Sequence, residues 1–545
     1  MTDRLTGLLN KNQKKIIAFV MLVMTIAGFA VTGGYGVPLD EAIEMSILTS
    51  NVKEYAMHIP GALGDKLENK FSYVIPISQS EEKDHGIAAY YGYVPLHVLA
   101  DDARAQSAIW HAYTFLIFMA GVFAMYGIVR ELSGSSWQAL FAALMLYLSP
   151  RMFAEGHYNN KDVVVMSFVL LTIYFGIKMI RTKKYTFAVL FAAAAAVATN
   201  TKIVGAWFFG IIGIAYLVYL IAGKELKKHN VLVGITAIIA FFAGYVLLTP
   251  AMWNNPVEFI RYLLVYAQDF DRWDNNILFE WNIYRYSVNP PPKYYLLKMI
   301  FITTPVYILA LNAAGVVLTI VNLVKSILSD RKALVMAVNL LLWAFPLTFA
   351  VISGTRVYNG WRHFYFVYGP MVITASYAVY CAAKAVAVSA KKYVKKGLTA
   401  AACLIVLISS IGLAVGHPHQ YAYFNIFAGS DAENNYETDY WMVSTKAALK
   451  ELYEKKYDGK NAIKIASVGR MNVNAMGKAL RAMPEEMAGA FKTCDMSEAE
   501  YLFVNPYGLV LDTSVNFEVE NKEKEVSVKS YGNEIAAIYK IGNGE

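Results

Sequence analysis

Residues 14–41 read KKIIAFVMLVMTIAGFAVTGGYGVPLDE. Two lysines lead into an apolar run from Ile16 to Val31, close to the roughly 20 residues that a helix needs to cross a bilayer. A glycine-rich turn and Pro38 end the run, and the pair Asp40–Glu41 follows. A signal peptide also begins with a basic start and an apolar middle. No clear small-x-small cleavage site precedes Pro38, so the run is expected to remain as the first span. On either reading the acidic pair emerges across the membrane from the lysines.

The rest of the chain extends this pattern. Of 545 residues, 57% are hydrophobic and 17% charged, with a mean hydropathy of +0.38. A soluble domain is nearer half apolar and a quarter charged, so a purely cytosolic protein is excluded. With 38 Tyr, 29 Phe and 9 Trp, so is a disordered one. Cys381, Cys403 and Cys494 form no CxxC pair and cannot build a disulfide framework.

About eleven spans are expected, starting near Ile16, Ala108, Trp137, Asp162, Tyr185, Ile203, Asn230, Leu296, Ala333, Phe364 and Gly397, the third and fifth of them short. Alternate loops are basic, from Lys14 and Lys15 through Arg130, Arg181–Lys184, Lys224–Lys228 and Lys325–Lys332 to Lys391–Lys396. Lysine and arginine gather on cytoplasmic loops. The N-terminus is therefore expected inside, in a multi-pass protein of the plasma membrane. This also explains the basic charge without nucleic acid. Residues 1–416 form the membrane part, with outer loops at 37–107 and 250–295 and shorter outer segments at 151–161 and 354–363. Residues 417–545 carry 19 acidic and 14 basic residues and are expected as a soluble α/β domain outside the membrane. Its helix is expected around Ser444–Lys455, and its strands near 462–468, 501–504 and 525–528.

The span centres hold almost no ionisable residues. Lys178 and Lys298 lie near ends, where they can snorkel. Ion-coupled transporters usually need charged relays at mid-membrane. No GxxxxGK[ST] loop and no GxGxxG follows a strand. Asp269 and Asp271 form a DxD-like pair, but it lies on the expected outer face, where nucleotide sugars are not supplied; a solvated loop is the simpler reading.

Adjacent carboxylates at the mouth of a helix bundle can act as a base and its helper. They can equally be a helix N-terminal pair favoured by the macrodipole. An N-in helix followed by a long outer loop opening on Asp40–Glu41 resembles the C-type glycosyltransferase superfamily, in particular the protein O-mannosyltransferases and the aminoarabinose transferase of lipid A. Val129-Arg-Glu-Leu-Ser-Gly and Ala142–Pro150 resemble that family's second and third spans. Asn159-Asn-Lys-Asp162 is similar to its short second outer segment, Thr199-Asn-Thr-Lys202 to its span end with a lysine, and Trp361-Arg-His-Phe-Tyr365 to its late outer arginine with aromatics. Tyr423-Phe-Asn425 and Asp439-Tyr-Trp441 resemble the start of its outer C-terminal domain. Tyr90–Pro95 follows the family pattern only loosely; it reads as a juxtamembrane helix or an interfacial aromatic belt.

The resemblance implies transfer of a sugar from a polyprenyl-phosphate carrier to a protein, lipid or glycan acceptor on the outer face. Asp40 would be the base, Glu41 its partner or an acceptor-orienting group, and Asp162 a second carboxylate. Lys202, Arg356, Arg362 and His363 would face the carrier phosphate, since cations stabilise a departing phosphate. Lys202 can instead anchor a helix end, and Arg356 pair with a loop acid. His417 and His419 lack further ligands at metal-binding spacing. No tightly bound metal is expected; a loosely held divalent cation stays open. Two other functions share these features: a transporter or flippase of lipid-linked sugar, and a non-catalytic envelope assembly protein.

Overall fold

The computed structural model describes residues 12–100, 102–268, 274–326, 331–357, 359–389, 392–512 and 522–541. Among them, nine helices are long and apolar enough to cross a membrane. They span Gln13–Gly34, Ala103–Ser133, Asp162–Thr182, Gly205–Ala222, Lys228–Leu248, Val306–Lys325, Arg331–Ser353, Arg362–Val388 and Tyr393–Gly416. The apolar helices Ser136–Tyr147 and Tyr185–Thr201 are shorter, as expected for the third and fifth candidates. The protein is a multi-pass, mainly helical membrane protein with a small sheet near its C-terminus. The pair Asp269 and Asp271 lies outside the described residues.

One expected span starts ten residues later than its hydropathy suggested. The run from Leu296 is broken: a helix covers Tyr295–Thr303, and the spanning helix begins at Val306. Pro305 is the cause. The residue before a proline is pushed away from the helical region, and Thr304 is extended at ψ 136°. Asn425 repairs the break. Its side-chain amide donates to the Phe301 carbonyl (2.7 Å) and the Thr304 carbonyl (2.8 Å), and its backbone N–H donates to Ile302 (2.8 Å). Asn425→Ala should therefore lower stability by about 1–3 kcal/mol, the cost of buried carbonyls left unpaired. Thermal unfolding in detergent measures it, and an unchanged midpoint would refute this capping role.

Six helices position the site: α1 (Gln13–Val31), α2 (Glu41–Met57), α3 (Ala103–Ser133), α4 (Pro150–Tyr158), α5 (Asp162–Thr182) and α6 (Tyr185–Thr201). Helix α1 buries Ile17, Met21, Met24 and Gly28 at helical spacing and exposes Phe19, Leu22 and Ile26. Helix α2 is unusual, because its buried face is polar. Glu41, Glu44, Asn51 and Glu54 recur three, seven and three residues apart, which places them on one side. Each finds partners. Glu54 accepts from the Ser78 backbone (3.1 Å), the Ser78 hydroxyl (2.6 Å) and Asn254 (3.3 Å). Asn51 accepts from the Tyr91 hydroxyl (3.1 Å).

The Tyr90–Pro95 stretch is helical rather than an exposed belt: a 3₁₀ helix over Ala88–Tyr93 runs into a short α-helix over Val94–Leu99. Tyr90 and Tyr93 are fully buried. Tyr90 stacks on Trp110 at 4.2 Å between centroids, and the Tyr93 hydroxyl donates to Gln106 (2.9 Å).

The C-terminal sheet has the order β4-β3-β5-β7-β6, built from β3 (Ile463–Ser467), β4 (Phe491–Thr493), β5 (Tyr501–Val504), β6 (Glu523–Ser530) and β7 (Asn533–Lys540). Strands β4 and β5 flank β3 in parallel, and β7 runs antiparallel to β5 and β6. A two-residue-linked hairpin, β1 (Ile277–Phe279) with β2 (Asn282–Tyr284), lies apart from it. The expected helix and three strands are present; β1, β2, β4 and β7 are additional. Helices Thr445–Lys456 and α7 (Arg470–Ala482) bury Ala448, Leu449, Leu452, Met476 and Ala479 against this sheet's core.

The segment joining sheet and bundle belongs to neither alone. Tyr421, Tyr440, Trp441, Met442 and Val443 share one core with Tyr35 of the first loop and with Ala154 and Tyr158 of α4. Gly36 marks how close the approach is: a Cβ there would sit 2.2 Å from the Val443 carbonyl oxygen. Any larger residue would force apart the two segments that lead to Asp40 and Tyr440.

Candidate active site

Glu41 and Glu44 sit one turn apart at the start of α2, both buried. The Glu41 carboxylate meets His111 Nε2 of α3 at 2.7 Å. Glu44 pairs with Lys161 Nζ and accepts from the Asn160 side chain (3.1 Å). Asp40 precedes them at the helix N-cap, half-buried. Its side chain accepts no hydrogen bond from the helix amides, so α2 does not use it as a cap. Its charge faces the Lys478 ammonium of α7 instead, which donates to the neighbouring Leu39 carbonyl.

Asn160 and Lys161 lead directly into α5, whose first residue is Asp162, 2% exposed. Asp162 pairs with Lys202 Nζ at the end of α6 and lies 3.8 Å from Arg362 Nη1. Asn159 cradles it from both ends: its amide donates to the carboxylate (3.0 Å), and its oxygen accepts the Asp162 N–H (2.8 Å). His363 Nδ1 lies 3.4 Å from Lys202 Nζ. Arg362 donates to the Tyr440 hydroxyl (2.9 Å) and packs over the Tyr440 and Trp441 rings at 4.6 and 4.9 Å. Stacking on aromatics with one face suits the flat guanidinium.

Behind this cluster, Glu155 is completely buried. It accepts from the Tyr365 hydroxyl, from Asn159 (2.5 Å) and from Trp441 Nε1 (3.1 Å). Burial pushes its carboxyl up to about 7, against those hydrogen bonds. Glu437 is pushed up to about 7 by the same cause, with Tyr507 (2.7 Å) and Asn359 (3.2 Å) donating to one oxygen. Burial raises Asp439 to about 6.

These groups carry a pH prediction. A carboxyl whose pKa is higher folded than unfolded holds its proton longer in the folded state. Its contribution is present below the unfolded value of 4.5 and is lost as pH rises through about 7. Glu437→Gln should therefore flatten the fall in stability between those values, by an amount on the order of 3 kcal/mol. Unfolding midpoints with the same pH slope as the unchanged protein would refute it.

The structure thus joins most of the expected site residues into one strip. Asp40 and Glu41 stand at one end; Asp162, Lys202, Arg362 and His363 stand at the other; Glu44, Asn160 and Lys161 connect them. Arg356 stands apart from Asp162. It lies beside Tyr286, while the groups meeting Asp162 are Lys202, Arg362 and Asn159. Gly354 and Asn359, on either side of Arg356, both adopt positive φ. The residues given no site role from the sequence are Glu44, His111, Glu155, Lys161, Tyr440 and Lys478. Glu44 could have been found from its i+3 spacing to Glu41, and Glu155 from its i−4 spacing to Asn159. Lys161 neighbours Asp162 in the chain, while His111, Tyr440 and Lys478 are brought in by distant segments. Among the described residues, no three His, Cys, Asp or Glu side chains group closely enough to hold a metal ion.

Residues 100–249 match the dolichyl-phosphate-mannose-protein mannosyltransferase family. The resemblance expected from the sequence therefore holds over this stretch, while Asp40, Glu41 and Arg362 lie outside it. No curated protein matches the chain. Among solved structures, the chain is similar to ArnT from Cupriavidus metallidurans bound to undecaprenyl phosphate, at 13% identity and a TM-score of 0.45, over 97% of this chain and 98% of that one. The apo state of the same protein gives 13% and 0.46 over the same shares. The arabinosyltransferase EmbB from Mycobacterium smegmatis gives 14% and 0.37, over 66% of this chain and 30% of that one.

Proposed function

We propose that this protein is a membrane glycosyltransferase that moves a sugar from a polyprenyl-phosphate carrier to an acceptor hydroxyl on the outer face of the plasma membrane. The observation that carries the reading is the strip just described: a half-buried Asp40 beside Glu41 at one end, and a buried Asp162–Lys202–Arg362 cluster at the other. The family match over residues 100–249 supports it.

The acceptor oxygen attacks the anomeric carbon and loses its proton to Asp40 as the new C–O bond forms. The bond from the anomeric carbon to the phosphate oxygen breaks, and its electron pair leaves on the polyprenyl phosphate. Lys202, Arg362 and His363 stabilise that departing charge. Asp162 holds Lys202 and Arg362 in place beforehand, and the Tyr440 and Trp441 rings fix the plane of Arg362. Two cations against one carboxylate leave a net positive charge to meet the phosphate.

Purified protein, incubated with radiolabelled polyprenyl-phosphate hexose and a membrane extract, should place label on an acceptor. Label on no acceptor, with lipid-linked sugar crossing vesicle bilayers, would establish a flippase instead. Chelator added to the same assay tests whether a divalent cation takes part at the carboxylates. The reading also requires the N-terminus inside and residue 545 outside. A reporter fused there that is active only in the cytoplasm would remove the outer-face site.

A further inference from the structure

A cavity of about 360 Å³ opens beside Glu41. Helix α2 lines it with Glu41, Ala42, Met45, Ser46 and Thr49; the start of α3 adds Gln106 and Ser107, and α7 adds Lys478 and Arg481. That volume lies within the range of small-molecule sites, and a few convergent polar groups on a mostly apolar wall are their usual pattern. The cavity carries charges of both signs close together. Its acidic side is Glu41, held by His111, with Asp40 next to it in the chain. Its basic end is Lys478, which donates to the Leu39 carbonyl, with Arg481 three residues on and so on the same face of α7.

We infer that this cavity is the acceptor site, and that Lys478 and Arg481 select an acceptor carrying a phosphate or carboxylate group close to the hydroxyl that is glycosylated. The inference rests on the glycosyltransferase reading and adds to it the class of acceptor. Three observations carry it. First, the cavity is lined by Val37 and Glu41, the chain segment that carries Asp40, so a ligand there lies next to the segment of the proposed base. Second, the basic end has spare donors. Arg481 is exposed; among the described residues it donates only through Nε, to the Gly477 carbonyl (3.2 Å), so its terminal nitrogens face solvent and are available to a ligand. A guanidinium fork left open matches the paired oxygens of a carboxylate or phosphate. Third, Lys478 is partly buried and its ammonium pKa is lowered by that burial, with Asp40 and Glu41 opposing. A bound anion would add a second oxygen partner to a cation that now donates to the Leu39 carbonyl.

The role of α7 follows. The C-terminal part of the chain supplies the specificity end of a site whose base comes from the first loop.

The test uses the full chain in nanodiscs with a polyprenyl-phosphate hexose donor and three soluble acceptors: octyl glucoside, its 6-phosphate and octyl glucuronide. Binding of each acceptor is measured separately by calorimetry. The charged probes should be used about tenfold better than octyl glucoside in kcat/KM, mainly through KM, and should bind more tightly. Arg481→Ala should remove most of that preference, and Arg481→Lys should restore part of it. A preference for the 6-phosphate alone assigns phosphate, and one for the glucuronide alone assigns carboxylate. Equal use and equal binding of all three probes, or a preference untouched by Arg481→Ala, would overturn the inference. Transfer to no probe would count against the glycosyltransferase reading; the calorimetric comparison of unchanged protein and Arg481→Ala would still decide the cavity.

Discussion

Asp40→Asn is expected to leave a folded protein whose sugar transfer falls by about 10²–10⁴, the usual contribution of a positioned general base. The substitution keeps the shape of the side chain and removes its basic oxygen. Folding should survive, because the Asp40 side chain accepts no hydrogen bond from the α2 amides, and asparagine is as good an N-cap as aspartate. Asp40→Glu should rescue little, since one extra methylene displaces the oxygen by about 1 Å, enough to cost about 10²-fold. Turnover by a stably folded Asp40→Asn protein is the deciding measurement. Near-normal transfer would show that the residue only begins a helix, and the base would have to be sought elsewhere.

Lys202→Ala should act on both stability and donor use. Asp162 is buried, and Lys202 is its closest cation; Arg362 remains at 3.8 Å. Removing one partner of a buried pair costs about 3–5 kcal/mol, because the other charge is left uncompensated. The double variant Asp162→Asn with Lys202→Ala removes both charges and should recover most of that stability. It should not recover donor use, because the cation facing the carrier phosphate is still missing. Unfolding midpoints together with donor KM separate the two effects. Normal donor kinetics in the double variant would make Lys202 a structural partner of Asp162 and nothing more.

The balance of charge across the strip explains why neither end was readable in full. From the residues alone, Lys202 at the end of an apolar run suits a snorkelling anchor as well as a phosphate ligand, and Arg356 looks as good as Arg362. Both arginines follow the same span end and stand six residues apart. Only the folded chain separates them: Arg362 turns inward onto Tyr440 and Trp441, about eighty residues later, while Arg356 stays near Tyr286. The aromatic stretch Tyr90–Pro95 was ambiguous for a related reason. Its composition fits a membrane interface, and its burial depends on Trp110, which the sequence does not mark as a neighbour.

What the sequence determines by itself is whatever depends on local or short-range physics. Apolar runs long enough to cross a bilayer, the short third and fifth helices, the break that Pro305 imposes, and the acidic pair opening the first loop all follow from neighbouring residues. The lysine and arginine zigzag belongs with them as an expectation of sidedness. The tertiary structure decides which charged groups meet. Glu41 finds His111 seventy residues away, Asp162 finds Lys202 and Arg362, and Lys478 arrives beside Asp40 from the far end of the chain. Such pairings are set by how the helices pack and by the desolvation that makes an unpaired buried charge intolerable. Neither leaves a periodic trace in the sequence, because the partners lie on separate elements whose spacing along the chain is arbitrary.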